Sequence, residues 1–129
     1  MGRAWGRLPE RSDFLRVAAQ GIRQGTPAFL IQGAAQTPDS TKRKRLRVGF
    51  TASRKIGNAV VRNRAKRRLR AAVDLALSAM TDQTVDLVLV ARHSAVSRDF
   101  ATMRTELSKA ADRVVRQLAQ RQSDLAAAP

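Results

Sequence analysis

Residues 53–70, SRKIGNAVVRNRAKRRLR, carry eight of the chain's 25 Lys and Arg residues and no Asp or Glu. Cations at this density repel one another in a folded chain and persist where a polyanion neutralises them. Their order restricts the fold further. Gly57 and Asn58 interrupt the run, and Asn58 is a good N-cap. From there Val61, Ala65, Leu69, Ala72, Val73 and Ala76 recur at helical spacing, which predicts a long helix over about 59–80. At about 100° per residue, Arg62, Lys66, Arg70, Asn63 and Arg67 form one contiguous flank of roughly 140°. Arg64 and Arg68 fall on the other side, with the apolar stripe between. Such a helix can pack on a sheet and still present cations along both margins. Arg forks match phosphate oxygens bidentately, and Asn63 can read a base edge or a ribose hydroxyl. A merely solvated helix would mix Glu with Lys or Arg at i, i+4, and here it does not. A membrane-surface helix would need a larger apolar face than this Ala-rich one, which lacks Trp and Phe.

The rest of the composition agrees with a nucleic-acid partner. Net charge is +15 over 129 residues, yet 43% are hydrophobic, enough for one domain with a core. The absence of Cys removes disulfides, thiolate zinc sites and thiol catalysis together. Residues 1–10 hold no apolar stretch of signal-peptide length, and no segment has the roughly 18 apolar residues of a membrane span. The expectation is a soluble cytoplasmic protein with no membrane partner.

Around the basic helix the chain reads as a small sheet with helices packed against it. A short helix spans Ser12–Gln20, capped by Ser12, with Phe14, Val17 and Ala18 on one face and Gly21 to end it. Residues 22–27 are turn-like, with room for a very short strand. Pro27–Gln32 is a strand, residues 33–42 a polar loop, and Leu46–Ser53 a second strand in which Leu46, Val48 and Phe50 alternate with Arg47, Gly49 and Thr51. Two strands joined by a loop suggest an antiparallel pair. Val85–Ala91 is nearly continuous in apolar residues, as in a strand buried on both faces. A last helix, capped by Ser97, runs over about 98–121. The domain is expected to cover residues 1–121, with 122–129 a disordered tail.

Few other residues suggest chemistry. His93 is the sole histidine and cannot build a zinc site without further ligands, so it reads as a loop residue. Asp13 and Asp86 have no carboxylate nearby in sequence for acid–base work. No nucleophile motif such as Gly-x-Ser-x-Gly occurs, and a protein-only nuclease would need clustered carboxylates. Phe50, Phe100 and Met103 read as core. Phe14 reads either as core or as a stacking platform. Trp5, in the basic arm Arg3–Arg7, either stacks on RNA or is disordered.

The segment from Ser53 to Arg64, with Lys66, Arg67, Arg68, Leu69 and Arg70 after it, resembles the central motif of the bacterial ribonuclease P protein component. Ser12-Asp13-Phe14 with Val17, Phe29-Leu30-Ile31, Arg47-Val48-Gly49 and Asp86 to Arg92 resemble that family's first helix and strands. The resemblance implies an α/β fold, a two-layer α+β sandwich of order αβββαβα like ribosomal protein S5 domain 2, with a left-handed crossover that the usual handedness rule does not predict. It implies a subunit without catalytic residues of its own. Such a subunit binds ribonuclease P RNA and the 5′ leader of precursor tRNA, and promotes removal of that leader. Mg2+ held mainly by the RNA performs the hydrolysis, the protein binds no cofactor, and no obligate protein partner is implied. By position, Arg62, Asn63, Arg64, Lys66, Arg67 and Arg70 are the expected contacts to catalytic RNA. Phe14, Thr51, Ser53, Arg54 and Lys55 are the expected leader contacts. Two departures stand out: Ala18 and Gln32 occupy positions where many members carry aromatics, which implies weaker stacking and less leader-sequence preference. The competing reading is a structural RNA-binding protein, like a ribosomal protein, with no role in cleavage.

Overall fold

The apolar run at 85–91 occupies the centre of the sheet, as a strand with no polar face must. The computed structural model describes residues 5–36 and 46–127. Along the chain lie β1 (Gly6–Arg7), α1 (Arg11–Ala19), β2 (Ile22–Gly25), β3 (Phe29–Ala35), β4 (Leu46–Thr51), α2 (Ala59–Ala76), β5 (Val85–Ala91) and α3 (Phe100–Ala127). The strands form a five-stranded sheet in the order β1-β4-β5-β3-β2 among the described residues. β4 pairs parallel to β5, and α2 is the crossover between them. β3 pairs antiparallel to β5 and to β2. The expected αβββαβα order is present, with one more strand ahead of it.

The alternation in β4 divides the molecule into two layers of unequal size. Leu46 and Val48 join Phe29, Ile31, Leu87 and Leu89 in a core closed by α2 and α3. Arg47, Gly49 and Thr51 point to the opposite face, where α1 lies over a smaller cluster of Leu8, Val17, Ala34 and Val88.

Several expectations need correcting. β3 and β4 are not neighbours, because β5 lies between them and pairs with both. A sequence-local loop suggested pairing, but the most apolar strand claims the centre. β3 also runs to Ala35, so the first residues of the expected 33–42 loop are strand, paired with Leu87, Asp86 and Val85. Pro38, Asp39 and Ser40 of that loop lie outside the described residues. α1 starts at Arg11 with Glu10 at its N-cap position, and Ser12 hydrogen-bonds Glu10 rather than the helix backbone. α2 ends at Ala76, and Ser78–Met80 continue as a single 3-10 turn. Asp99, not Ser97, caps α3 by accepting from the Thr102 amide at 3.0 Å. α3 continues as helix past Arg121 to Ala127, so 122–127 are exposed but helical.

The largest surprise is Trp5. It is buried, 5% exposed, with its ring edge-on to Phe50 at 5.8 Å, and its Nε1 donates to Asp74 on α2 at 2.8 Å. A stacking role on RNA is therefore not open to it. Beside it β1 adds a parallel edge to β4.

Candidate nucleic-acid interface

The start of α2 is built as the sequence predicts. Gly57 has φ of 146°, and a Cβ there would meet Val61 at 2.8 Å, so only glycine makes this turn without strain. Asn58 then caps α2, its side-chain oxygen accepting from the Val61 amide at 3.0 Å. Ala65, Leu69, Ala72 and Val73 are buried. Arg62 and Lys66 are half-buried at one margin of this stripe, while Asn63, Arg64 and Arg67 are exposed. No acidic residue lies in the first turn, so the positive end of the helix dipole adds to the side-chain charge. Among the described residues, no ion pair reaches Arg62, Arg64, Lys66 or Arg67. Arg70 lies over the Phe50 ring at 5.4 Å, a cation–π contact that fixes its direction and leaves its charge unneutralised.

The opposite margin differs. Arg68 donates to the carbonyls of Ala95 at 2.7 Å and Arg98 at 2.5 Å, tying α2 to the connection that precedes α3. It is a structural clip within the basic run.

The basic margin opens onto a cavity of about 360 Å³. Lys66 and Arg70 form one wall and Arg7 and Arg11 another, with Phe14 and Phe50 among the apolar lining. Phe14 is half-buried above Gly49, where a Cβ would come within 2.5 Å of the ring. The structure thus brings one expected leader residue and two expected RNA contacts to a single cleft. Thr51 shares the Phe14 face of β4. Ser53, Arg54 and Lys55 are exposed beyond the end of that strand, with Arg54–Ile56 in a 3-10 turn, and they do not line the cavity. Ala18 is exposed one helical turn after Phe14, and Gln32 is half-buried on β3. Arg7 and Arg11 are cations that the sequence reading missed. Their signal was the basic segment around Trp5, whose burial carries them to the cleft. His93 is a loop residue whose Nδ1 hydrogen-bonds the Ile56 carbonyl at 3.2 Å, bracing the turn ahead of α2.

Under α1 lies a group of charges that sequence spacing did not join. Arg47 on β4 is 2% exposed and Asp86 on β5 is fully buried; they are register partners. Arg47 Nε donates to Asp86 Oδ1 at 2.8 Å and Nη2 to Oδ2 at 2.6 Å. The Asp86 hydrogen bonds raise the Arg47 pKa further, against the opposing effect of burial. Arg16 reaches the same carboxylate and donates to the Ala35 carbonyl at 2.9 Å. Asp13 lies 3.5 Å from Arg16 and 3.8 Å from Arg47. Both carboxylates are therefore committed to guanidinium groups, which does not fit a divalent-cation site.

The comparison with known proteins gives the family and agrees with the fold. Residues 4–115 match the profile of the family described as Ribonuclease P. The chain belongs to this family. Among curated ribonuclease P protein components, that of Paramagnetospirillum magneticum is 40% identical over 108 residues, covering 84% of this chain and 81% of the relative. That of Ruegeria pomeroyi is 46% identical over 104 residues, covering 80% and 81%. The solved ribonuclease P protein of Thermotoga maritima superposes with a TM-score of 0.63 at 26% identity, covering 78% of this chain and 90% of that one. The Staphylococcus aureus ribonuclease P protein gives 0.66 at 24%, covering 82% and 92%, and shares the fold. The chain is thus a protein component of ribonuclease P, a mixed α/β member of the family with an N-terminal strand docked on β4.

Proposed function

We propose that this subunit binds ribonuclease P RNA through the α2 residues Arg62, Asn63, Arg64, Lys66, Arg67 and Arg70. It binds the single-stranded 5′ leader of precursor tRNA in the cleft beside it through Phe14, with Arg7 and Arg11 as further cations, and along the end of β4 next to the cleft through Thr51, Ser53, Arg54 and Lys55. The observation that carries the reading is the row of α2 cations without carboxylate partners among the described residues, continuous with the cavity that holds Phe14. An aromatic platform beside a basic track is how single-stranded nucleic acid is commonly held. Magnesium ions held by the RNA supply the hydrolysis, and the protein binds and positions the substrate. Favouring precursor over mature tRNA through the leader is a difference of affinities, and neutralised phosphates lower the cation concentration that the RNA needs.

Reconstitution tests this reading. Adding the chain to ribonuclease P RNA at low magnesium should stimulate cleavage of precursor tRNA at the 5′ end of the mature sequence. RNA binding without stimulation would favour a purely structural RNA-binding protein.

A further inference from the structure

We infer that Asp13, Arg16, Arg47 and Asp86 are positioning residues for the leader cleft: their buried charge network fixes α1 on the sheet and so holds Phe14 above Gly49. The inference rests on the proposed reading that the leader enters between α1 and the sheet.

α1 has nine residues and only one buried side chain, Val17. Apolar contact is non-directional, and a single such anchor leaves the tilt and rotation of the helix free. The directional ties come from charge. Arg16 reaches β3 through the Ala35 carbonyl and β5 through Asp86, while Asp13 faces Arg47 on β4. These two α1 residues bracket Phe14 in sequence. On the sheet, the pair Arg47–Asp86 and the pair Gly49–Val88 are successive on one face, so the ring sits one step along from the ion pair. Arg16 commits its two terminal nitrogens to acceptors on two different strands, the Ala35 carbonyl and an Asp86 carboxylate already gripped by Arg47, an arrangement that tolerates little sliding. For stability alone it is a poor choice, since apolar replacements of a buried ion pair often serve as well, and its better-attested use is to fix register. One Arg47 nitrogen, Nη1, is buried without a partner among the described residues, a desolvation penalty that packing alone would have avoided. Two Arg and two Asp also cancel. Arg16 and Arg47 therefore lie within a basic protein, beside its RNA cleft, without presenting net charge to RNA.

That neutrality separates a positioning role from phosphate contact. The experiment uses the holoenzyme reconstituted from the full chain and ribonuclease P RNA. Affinities for precursor tRNA and for mature tRNA are measured over a range of salt. Arg16→Met retains the Arg47–Asp86 pair and removes the two closest ties from α1, leaving only the 3.8 Å Asp13–Arg47 contact. The leader-dependent gain in affinity should fall about fivefold or more, the loss of roughly one stacked base. Affinity for mature tRNA and the salt slope should not change. Arg16→Lys, which keeps the charge but not the fork, should recover part of the gain. An unchanged gain in Arg16→Met overturns the inference, and so does a salt slope lower by about one, which would make Arg16 a phosphate contact. Should Arg16→Met fail to fold, Arg16→Lys decides, and a full wild-type gain there overturns the inference. Phe14→Ala separates the two claims. If it abolishes the gain while Arg16→Met does not, only the network inference fails; if it leaves the gain intact, the cleft reading itself fails.

Discussion

Gly49 and Phe14 show how a single missing methyl group shapes the cleft. Gly49→Ala places a Cβ 2.5 Å from the Phe14 ring, so the ring must move. We expect a stability loss of about 1–3 kcal/mol from overpacking, together with a reduced leader-dependent gain, read by denaturant melting and by tRNA affinity respectively. Ala18→Phe acts in the other direction: an exposed position one turn from Phe14 acquires a second platform, and the leader-dependent gain should rise. No change would show that stacking there is not limiting. Within the basic run, Arg64 and Arg68 look alike in sequence but should behave differently. Arg64→Ala should lower the slope of RNA affinity against salt by about one. Arg68→Ala should leave the slope intact and cost about 1–2 kcal/mol of stability through its two carbonyl bonds. The motif 62–64 was legible because its order is distinctive. The clip role of Arg68 was not, because its acceptors lie 27 and 30 residues away. The Arg47–Asp86 pair was likewise hidden, since it depends on a register that no local pattern encodes.

At the scale of elements, local chemistry predicted what it controls. The Asn58 cap, the apolar stripe of α2 and the burial of β5 all follow from short-range pattern. The pairing of β5 between β3 and β4 did not, nor did β1, whose two residues carry no periodicity and gain their place from Trp5. Trp5→Ala should therefore destabilise the whole fold by about 3–5 kcal/mol, as expected for a buried aromatic, measured by circular dichroism during denaturation. The α3 cap gives a pH dependence. Hydrogen bonds from the Thr102 amide and hydroxyl lower the Asp99 pKa from its ordinary 3.8. Its stabilisation is thus present above that ordinary value and lost as pH falls through the lower, folded one. The difference in Tm between the wild type and Asp99→Ala should be full at neutral pH and shrink below about pH 4.

Across the whole molecule, charge is divided by task. The four charges beneath α1 neutralise one another, Arg98 pairs with Glu106, and Arg68 is bound to carbonyls. Arg62, Lys66 and Arg67 form no ion pair among the described residues and lie along the side of α2 that opens onto the Phe14 cleft. With a net charge of +15, a subunit that acted only as electrostatic glue would tighten every RNA substrate alike. The distinction is measured most directly by comparing the affinities of ribonuclease P RNA for precursor and mature tRNA, with and without this chain. The account predicts that the protein tightens precursor binding and leaves mature tRNA nearly unchanged. Equal tightening of both would contradict it.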